Sequence, residues 1–311
     1  MGASPINRID DYPQAILNKI DSIFELGAEH NIDFILFGGD MFESYNASTS
    51  VIRRTLEWFK GRDIPMISIL GNHDLHGHTL NTFHRSAVSI LDVADFVEII
   101  DVSEKYGVRG LHYYTGLEED MTKGNKTPSE KMQEVLAGDE TIWAAHAMIS
   151  TEELKFISRN ILVENIQVAP HTKLVLSGDY HAGFPITKRD DGVIFANPGS
   201  LSRRNVAKEN LIRDVQVALV EYEPYDFDGD IEIEYIKVKA QPAEEVFDLA
   251  AIQDKKDVKV GTLSYIEKLK NLEMSDTIDD LESEISKFAG EAGLDNEILD
   301  EILSRLYDLQ T

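Results

Sequence analysis

Five short apolar runs in this chain are each followed at once by small and polar residues: Phe34 to Asp40, Ile67 to Asp74, Trp143 to His146, Leu174 to His181 and Phe195 to Ser200. They are too short for helices and too apolar for half-exposed strands. They read as strands covered on both faces, as in a largely parallel α/β sheet, and such sheets place ligands beyond the carboxyl ends of their strands. The clearest case is Ile67-Ser68-Ile69-Leu70-Gly71-Asn72-His73-Asp74, where an amide, an imidazole and a carboxylate follow a glycine without a gap.

Helical patterns between the runs supply the covering layers. Tyr12 to His30 carries Ile16, Leu17, Ile20, Ile23, Phe24 and Gly27 on one face, and Ser50 to Lys60 is a second amphipathic stretch. Phe34–Phe37, that second helix and Ile64–Leu70 then form a parallel βαβ unit. Thr79 to Asp92 reads as a helix, and Val97–Val102, Val108–Tyr114, Thr141–Ala145, Lys173–Ser177 and Val193–Ala196 as strands. Leu117 to Glu134 reads as a polar, mobile surface loop, and Ser150-Thr151-Glu152-Glu153 as a capping box that opens a helix. Val215–Tyr222 and Ile231–Lys239 predict an antiparallel pair, and the apolar stripes Ile278 to Phe288 and Ile298 to Tyr307 predict a helical pair. The expected division is a main domain over 1–211, a strand extension over 212–245 and a helical module over 246–311.

Charge and cysteine usage narrow the chemistry. A formal net charge of -26 argues against holding nucleic acid by a broad basic surface, so a phosphate-ester substrate would need bound cations. With no cysteine, a metal site must be built from oxygen and imidazole, which suits Mn²⁺, Mg²⁺ or Fe. No apolar stretch approaches the roughly 20 residues of a membrane span, and the start lacks a charged-then-apolar signal pattern. No membrane partner and a cytoplasmic location are the expectations.

Two metal ions that clamp a phosphate ester need a bridging carboxylate, further oxygen and imidazole ligands, and a donor beside the leaving oxygen. Asp40 suits the bridge, and Asn72, His146, Asp179 and His181 suit the remaining shells. His73 suits the donor, with Asp74 fixing its tautomer. Gly39-Asp40-Met41-Phe42-Glu43, Gly71-Asn72-His73-Asp74, Ala145-His146 and Gly178-Asp179-Tyr180-His181 resemble successive motifs of the calcineurin-like metallophosphoesterases. Asn197-Pro198-Gly199-Ser200-Leu201, followed by Arg203 and Arg204, resembles the SbcD-type nucleases of double-strand-break repair.

The resemblance covers roughly residues 1 to 240. It implies a four-layer α/β/β/α sandwich with a small C-terminal module, and metal-dependent DNA cleavage with two divalent ions, Mn first among them. It also implies an SbcC-type ATPase partner and is compatible with a homodimer. Asp40 would bridge both ions, Asn72, His146 and Asp179 would bind the second and His181 the first, and His73, backed by Asp74, would stabilise the transition state. His76 is a candidate for lining the substrate cleft, with a solvated loop as the alternative. Arg203 and Arg204 would either contact a DNA backbone or satisfy internal carboxylates.

Two departures from the family pattern stand out. Gly-Asp-Tyr-His replaces the usual Gly-His-x-His, putting a carboxylate where an imidazole is expected. The opening Asp-x-His motif has no counterpart ahead of Gly2, so the expectation is a shortened chain with one metal held well and the other poorly. Apolar surface should then lie unpaired beside Phe34 to Phe37. Two other functions fit the same residues: a phosphodiesterase or phosphatase for nucleotides or small esters, and a non-catalytic subunit that binds DNA or an ATPase.

Overall fold

The computed structural model describes residues 2, 5, 8–155, 157, 159–204 and 208–249. The expected helical module at 246–311, with both its apolar stripes, lies almost wholly outside these. Among the described residues no helix is long and apolar enough to cross a membrane.

Helix α1 runs Tyr12–His30, capped by the Asp11 carboxylate accepting from the Gln14 N–H and closed by Asn31 in the left-handed conformation. It leads into strand β1 (Ile35–Phe37), helix α2 (Thr49–Phe59) and strand β2 (Met66–Ser68). After a 3₁₀ segment, helix α3 (Ala87–Val93) leads to β3 (Glu98–Ile99), and β1, β2 and β3 form a three-stranded parallel sheet in that order.

A second sheet follows. It contains β4 (Val102–Ser103), β5 (Val108–Leu111), β6 (Ile142–Ala145), β9 (Leu174–Ser177), β10 (Phe184–Lys188) and β11 (Ile194–Asn197), in the order β10-β11-β9-β6-β5-β4. Its centre is parallel, and both edge strands run antiparallel. Two small pairs complete the strands: parallel β7 (Ile149–Ser150) with β8 (Ile161–Leu162), and antiparallel β12 (Gln216–Glu221) with β13 (Glu232–Lys237).

The side-chain period of two sorts these strands into layers. Met66 and Leu70 pack with Ile16, Ile20 and Phe24 of α1, Phe59 of α2 and Leu91 of α3. Ile67 and Ile69 point the other way, onto Ile142, Ala144, Leu174 and Ala196 of the second sheet. Trp143, Val175 and Phe195 face outward onto the last layer, Leu117, Met121, Met132 and Val135. The order is therefore helix, sheet, sheet, helix, the expected α/β/β/α sandwich.

That outer layer corrects the surface loop expected between Leu117 and Glu134. Helices α4 (Leu117–Asp120) and α5 (Glu130–Leu136) lie there, and Leu117 and Met121 are fully buried. Two apolar residues four apart cover the sheet even though their neighbours are polar. Ser150 opens no helix, since it lies in β7 and its hydroxyl bonds to Glu152 and Asn160. Thr79–Asp92 is broken at Ser86, which caps α3 instead of continuing the 3₁₀ turn. Val97–Val102 divides between β3 and β4, so the chain changes sheet within the expected strand.

Among the described residues, strand β1 is an edge of its sheet and β12 pairs with β13 alone. Both line one cavity of about 710 Å³, whose wall includes residues 33–40 on one side and 216–223 on the other. The apolar slot expected beside Phe34 to Phe37 is present. Asp40, His146, Asp179 and His181 line the same cavity.

Candidate metal centre

Two aspartates reach this end of the sandwich by the same backbone device. Asp40 follows β1 through Gly38-Gly39 with φ +56°, and Asp179 follows β9 through Gly178 with φ +69°. Each left-handed aspartate costs about 1–2 kcal/mol in backbone energy, a strain the surrounding packing sustains. The two turns touch: a Cβ on Gly178 would lie 2.2 Å from the Gly38 carbonyl oxygen.

His146, at the end of β6, stands between them and is fully buried. Its Nδ1 lies 2.7 Å from the Gly38 carbonyl oxygen, so that nitrogen carries the donated hydrogen and Nε2 faces the cleft. Nε2 is 3.3 Å from Asn72 Oδ1, 3.4 Å from Asp40 Oδ2 and 4.0 Å from Asp179 Oδ1. Burial opposes a charge on this ring. The hydrogen bond and charge of Asp40, the charge of Asp179 and the Gly38 carbonyl outweigh it and raise His146 to about 9. Burial likewise pushes Asp40 up, but His146 and the His73 N–H hold its carboxyl below the usual range. In the metal-free protein a proton thus sits among three oxygens, where a cation is electrostatically favoured.

Donors around an ion at about 2.1 Å are roughly 3.0 Å apart when adjacent and roughly 4.2 Å apart when opposite. The separations around Nε2 fall within that range, so one imidazole, one amide and two carboxylates fit part of a divalent shell. Among the described residues, no group of three His, Cys, Asp or Glu side chains forms a metal-holding set by itself. His181 remains exposed on the rim of the same cavity, where its carbonyl accepts from the Ser200 N–H.

The remaining candidates separate clearly. His73 presents an exposed side chain to the cavity while its N–H donates to Asp40 Oδ1 at 2.8 Å. Asp74 does not back the His73 ring, a correction to its expected role. It is buried, and its Oδ2 accepts the N–H groups of Asp40 at 2.8 Å and Gly71 at 2.9 Å, fixing the two loops relative to each other. Burial first, then the charge of Asp40, raises Asp74 to about 6.

His76 packs edge-on against Tyr45 and does not line the cavity. Arg203 is turned inward and donates to the Gln241 and Arg213 carbonyls, so it is no DNA-backbone contact. Arg204 does line the cavity and pairs with Glu43. One residue at the centre was not anticipated: Arg159, whose Nη2 lies 2.7 Å from Asp179 Oδ2. No local motif marks it, because it meets Asp179 only through the fold.

The sequence matches the family model for calcineurin-like phosphoesterase over residues 11–183, more than half of the chain. The chain belongs to that family. Members of the calcineurin-like phosphoesterase family hydrolyse phosphate esters with divalent metal ions, and the donor set around His146 is where this phosphoesterase can hold one. The chain is also similar to the DNA double-strand break repair protein Mre11 of Archaeoglobus fulgidus, 25% identical over 221 residues. That match covers 66% of this chain and 48% of the relative, so the chain spans about half the length of the protein it matches.

Proposed function

We propose that this phosphoesterase is a metal-dependent DNA nuclease of the SbcD type that acts in repair or recombination, with Mn²⁺ as its preferred ion. The observation that carries the reading is the convergence of Asp40, Asn72 and Asp179 oxygens on the cleft-facing Nε2 of His146. The similarity to a DNA double-strand break repair protein supports DNA as the substrate class, and the SbcD-type resemblance implies an SbcC-type ATPase partner and is compatible with a homodimer.

Divalent ions at such a centre supply Lewis-acid polarisation of the phosphoryl oxygens and activation of water. The chain's own residues do the positioning. Asp40, Asn72, His146 and Asp179 would hold the ions, and Asp74 holds the loops that carry Asp40 and Asn72. His73, exposed at the mouth, donates a hydrogen bond to the phosphoryl or leaving oxygen as charge develops there. His181, which lines the same cavity, would help hold a further ion, with fewer partners than the His146 cluster offers.

A second reading, hydrolysis of nucleotides or small phosphate esters, is favoured by two features. Arg203 is buried away from the cleft, and Arg204 is engaged by Glu43 in a chain of net charge -26. Cleavage assays in Mn²⁺ separate the two. A nuclease degrades both bis-p-nitrophenyl phosphate and linear DNA, whereas a small-ester enzyme leaves the DNA intact. A non-catalytic binding subunit would cleave neither.

A further inference from the structure

Asp179 is the more distant carboxylate of the cluster and has the more elaborate outer surroundings. Its Oδ1 faces His146 Nε2 at 4.0 Å while its Oδ2 meets the Arg159 guanidinium at 2.7 Å. Two further groups surround that guanidinium. Nη1 lies 3.5 Å from Glu118 Oε1, and Cζ sits 5.3 Å over the Tyr113 ring. Glu118 is buried and its Oε1 accepts the Met148 N–H at 3.0 Å. Met148 also forms a backbone bridge with Asp179, so the arrangement closes on itself.

From this geometry we infer that Arg159 is a positioning residue for the metal centre: it binds the outer oxygen of Asp179 and so aims the inner oxygen at the ion shared with His146. The inference rests on the proposed metal-binding role of Asp179. A buried carboxylate with two equivalent oxygens can turn either one inward. The ion pair between the guanidinium and Oδ2 removes that freedom. It also offsets one negative charge beside Asp40, so the Asp179–Arg159 pair delivers an oxygen ligand at the net charge of a neutral imidazole. Arg159 does not line the cavity that His146 and Asp179 line.

Outer partners of metal ligands typically set affinity by about 10–100-fold. A binding cycle therefore tests the assignment without any activity measurement: Mn²⁺ titration, followed by the electron paramagnetic resonance of the free ion, on the full chain and on Arg159→Gln, Asp179→His and the double variant. Melting of each metal-free protein checks that it is folded; Arg159 is partly exposed, so its loss leaves the core intact.

Arg159→Gln should weaken Mn²⁺ binding at least tenfold in the parent chain but by less than threefold beside Asp179→His, since an imidazole presents no outer oxygen to the guanidinium. Unchanged or tighter binding by Arg159→Gln overturns the assignment, because Arg159 is then only a counter-ion. Equal losses in both backgrounds also overturn it, because Arg159 then acts on the loop and not through Asp179. If the parent chain itself binds no Mn²⁺, the metal-centre reading fails and the inference falls with it, a result distinct from the other two.

Discussion

His146 Nδ1 and the Gly38 carbonyl oxygen are 2.7 Å apart, and that one contact decides which imidazole nitrogen faces the cleft. Because Nε2 carries a proton in the metal-free protein up to about pH 9, an incoming ion must displace it. Apparent Mn²⁺ affinity should therefore rise about tenfold per pH unit between pH 6.5 and 9 and then level off, with about one proton released per ion. Calorimetric titrations in buffers of different ionisation enthalpy measure that release directly. Affinity independent of pH in this window would place the ion elsewhere.

Gly39 protects the same contact. Its φ is +90°, and a Cβ there would lie 2.5 Å from His146 Nδ1 and 2.8 Å from the Gly71 nitrogen, neither of which can retreat cheaply. Gly39→Ala should break the Gly38–His146 hydrogen bond, cost about 2–4 kcal/mol of stability and abolish tight metal binding. Chemical denaturation checks the first effect and metal titration the second.

Asp74 acts on two backbone N–H groups with one oxygen, which separates two substitutions that sequence alone would treat alike. Asp74→Ala orphans both donors inside the protein, for a loss of about 2–5 kcal/mol. Asp74→Asn keeps an acceptor in place and should stay within about 1–2 kcal/mol of the parent at pH 8. The pH dependence has a defined sign. The folded protein holds the Asp74 proton up to about 6 against an ordinary 3.8, so its contribution to stability is full below 3.8 and is lost as pH rises through 6. Asp74→Asn should flatten the stability curve of the metal-free protein across that interval. A curve unchanged by the substitution would remove Asp74 as its cause.

Features that depend on near neighbours in the chain could be read directly. Helix α1 spans Tyr12–His30, as its helical periodicity indicates. The strand tips that present Asp40, Asn72, His146 and Asp179 follow from apolar runs closed by small residues. What escaped depends on distant partners. Ser150 could cap a helix or pair with β8, and burial of Ile149 decides for the strand. Adjacency of His73 and Asp74 suggested a pair, but successive side chains diverge, and Asp74 turns to the Asp40 loop instead. The inward turn of Arg203 depends on carbonyls of Gln241 and Arg213, and the role of Arg159 on a carboxylate twenty residues away.

The slot between β1 and β12 makes the most demanding prediction. Two strands that each lack a second neighbour among the described residues line one cavity of about 710 Å³, and apolar residues of both sheets and of α1 form its wall. A single extended segment of about five to six residues would pair with both edges and cover that surface. Gly2 lies against Glu43, which lines the same cavity, so a segment joined ahead of Gly2 reaches the slot directly. Adding a Val/Ile-rich stretch of that length should raise the melting temperature by several degrees and suppress binding of an apolar dye. The same stretch with alternate prolines, which cannot complete a ladder, should do neither. Equal behaviour of the two extensions would show that the cavity does not accept a strand, and would leave the unpaired edge of β1 a stable feature of the fold.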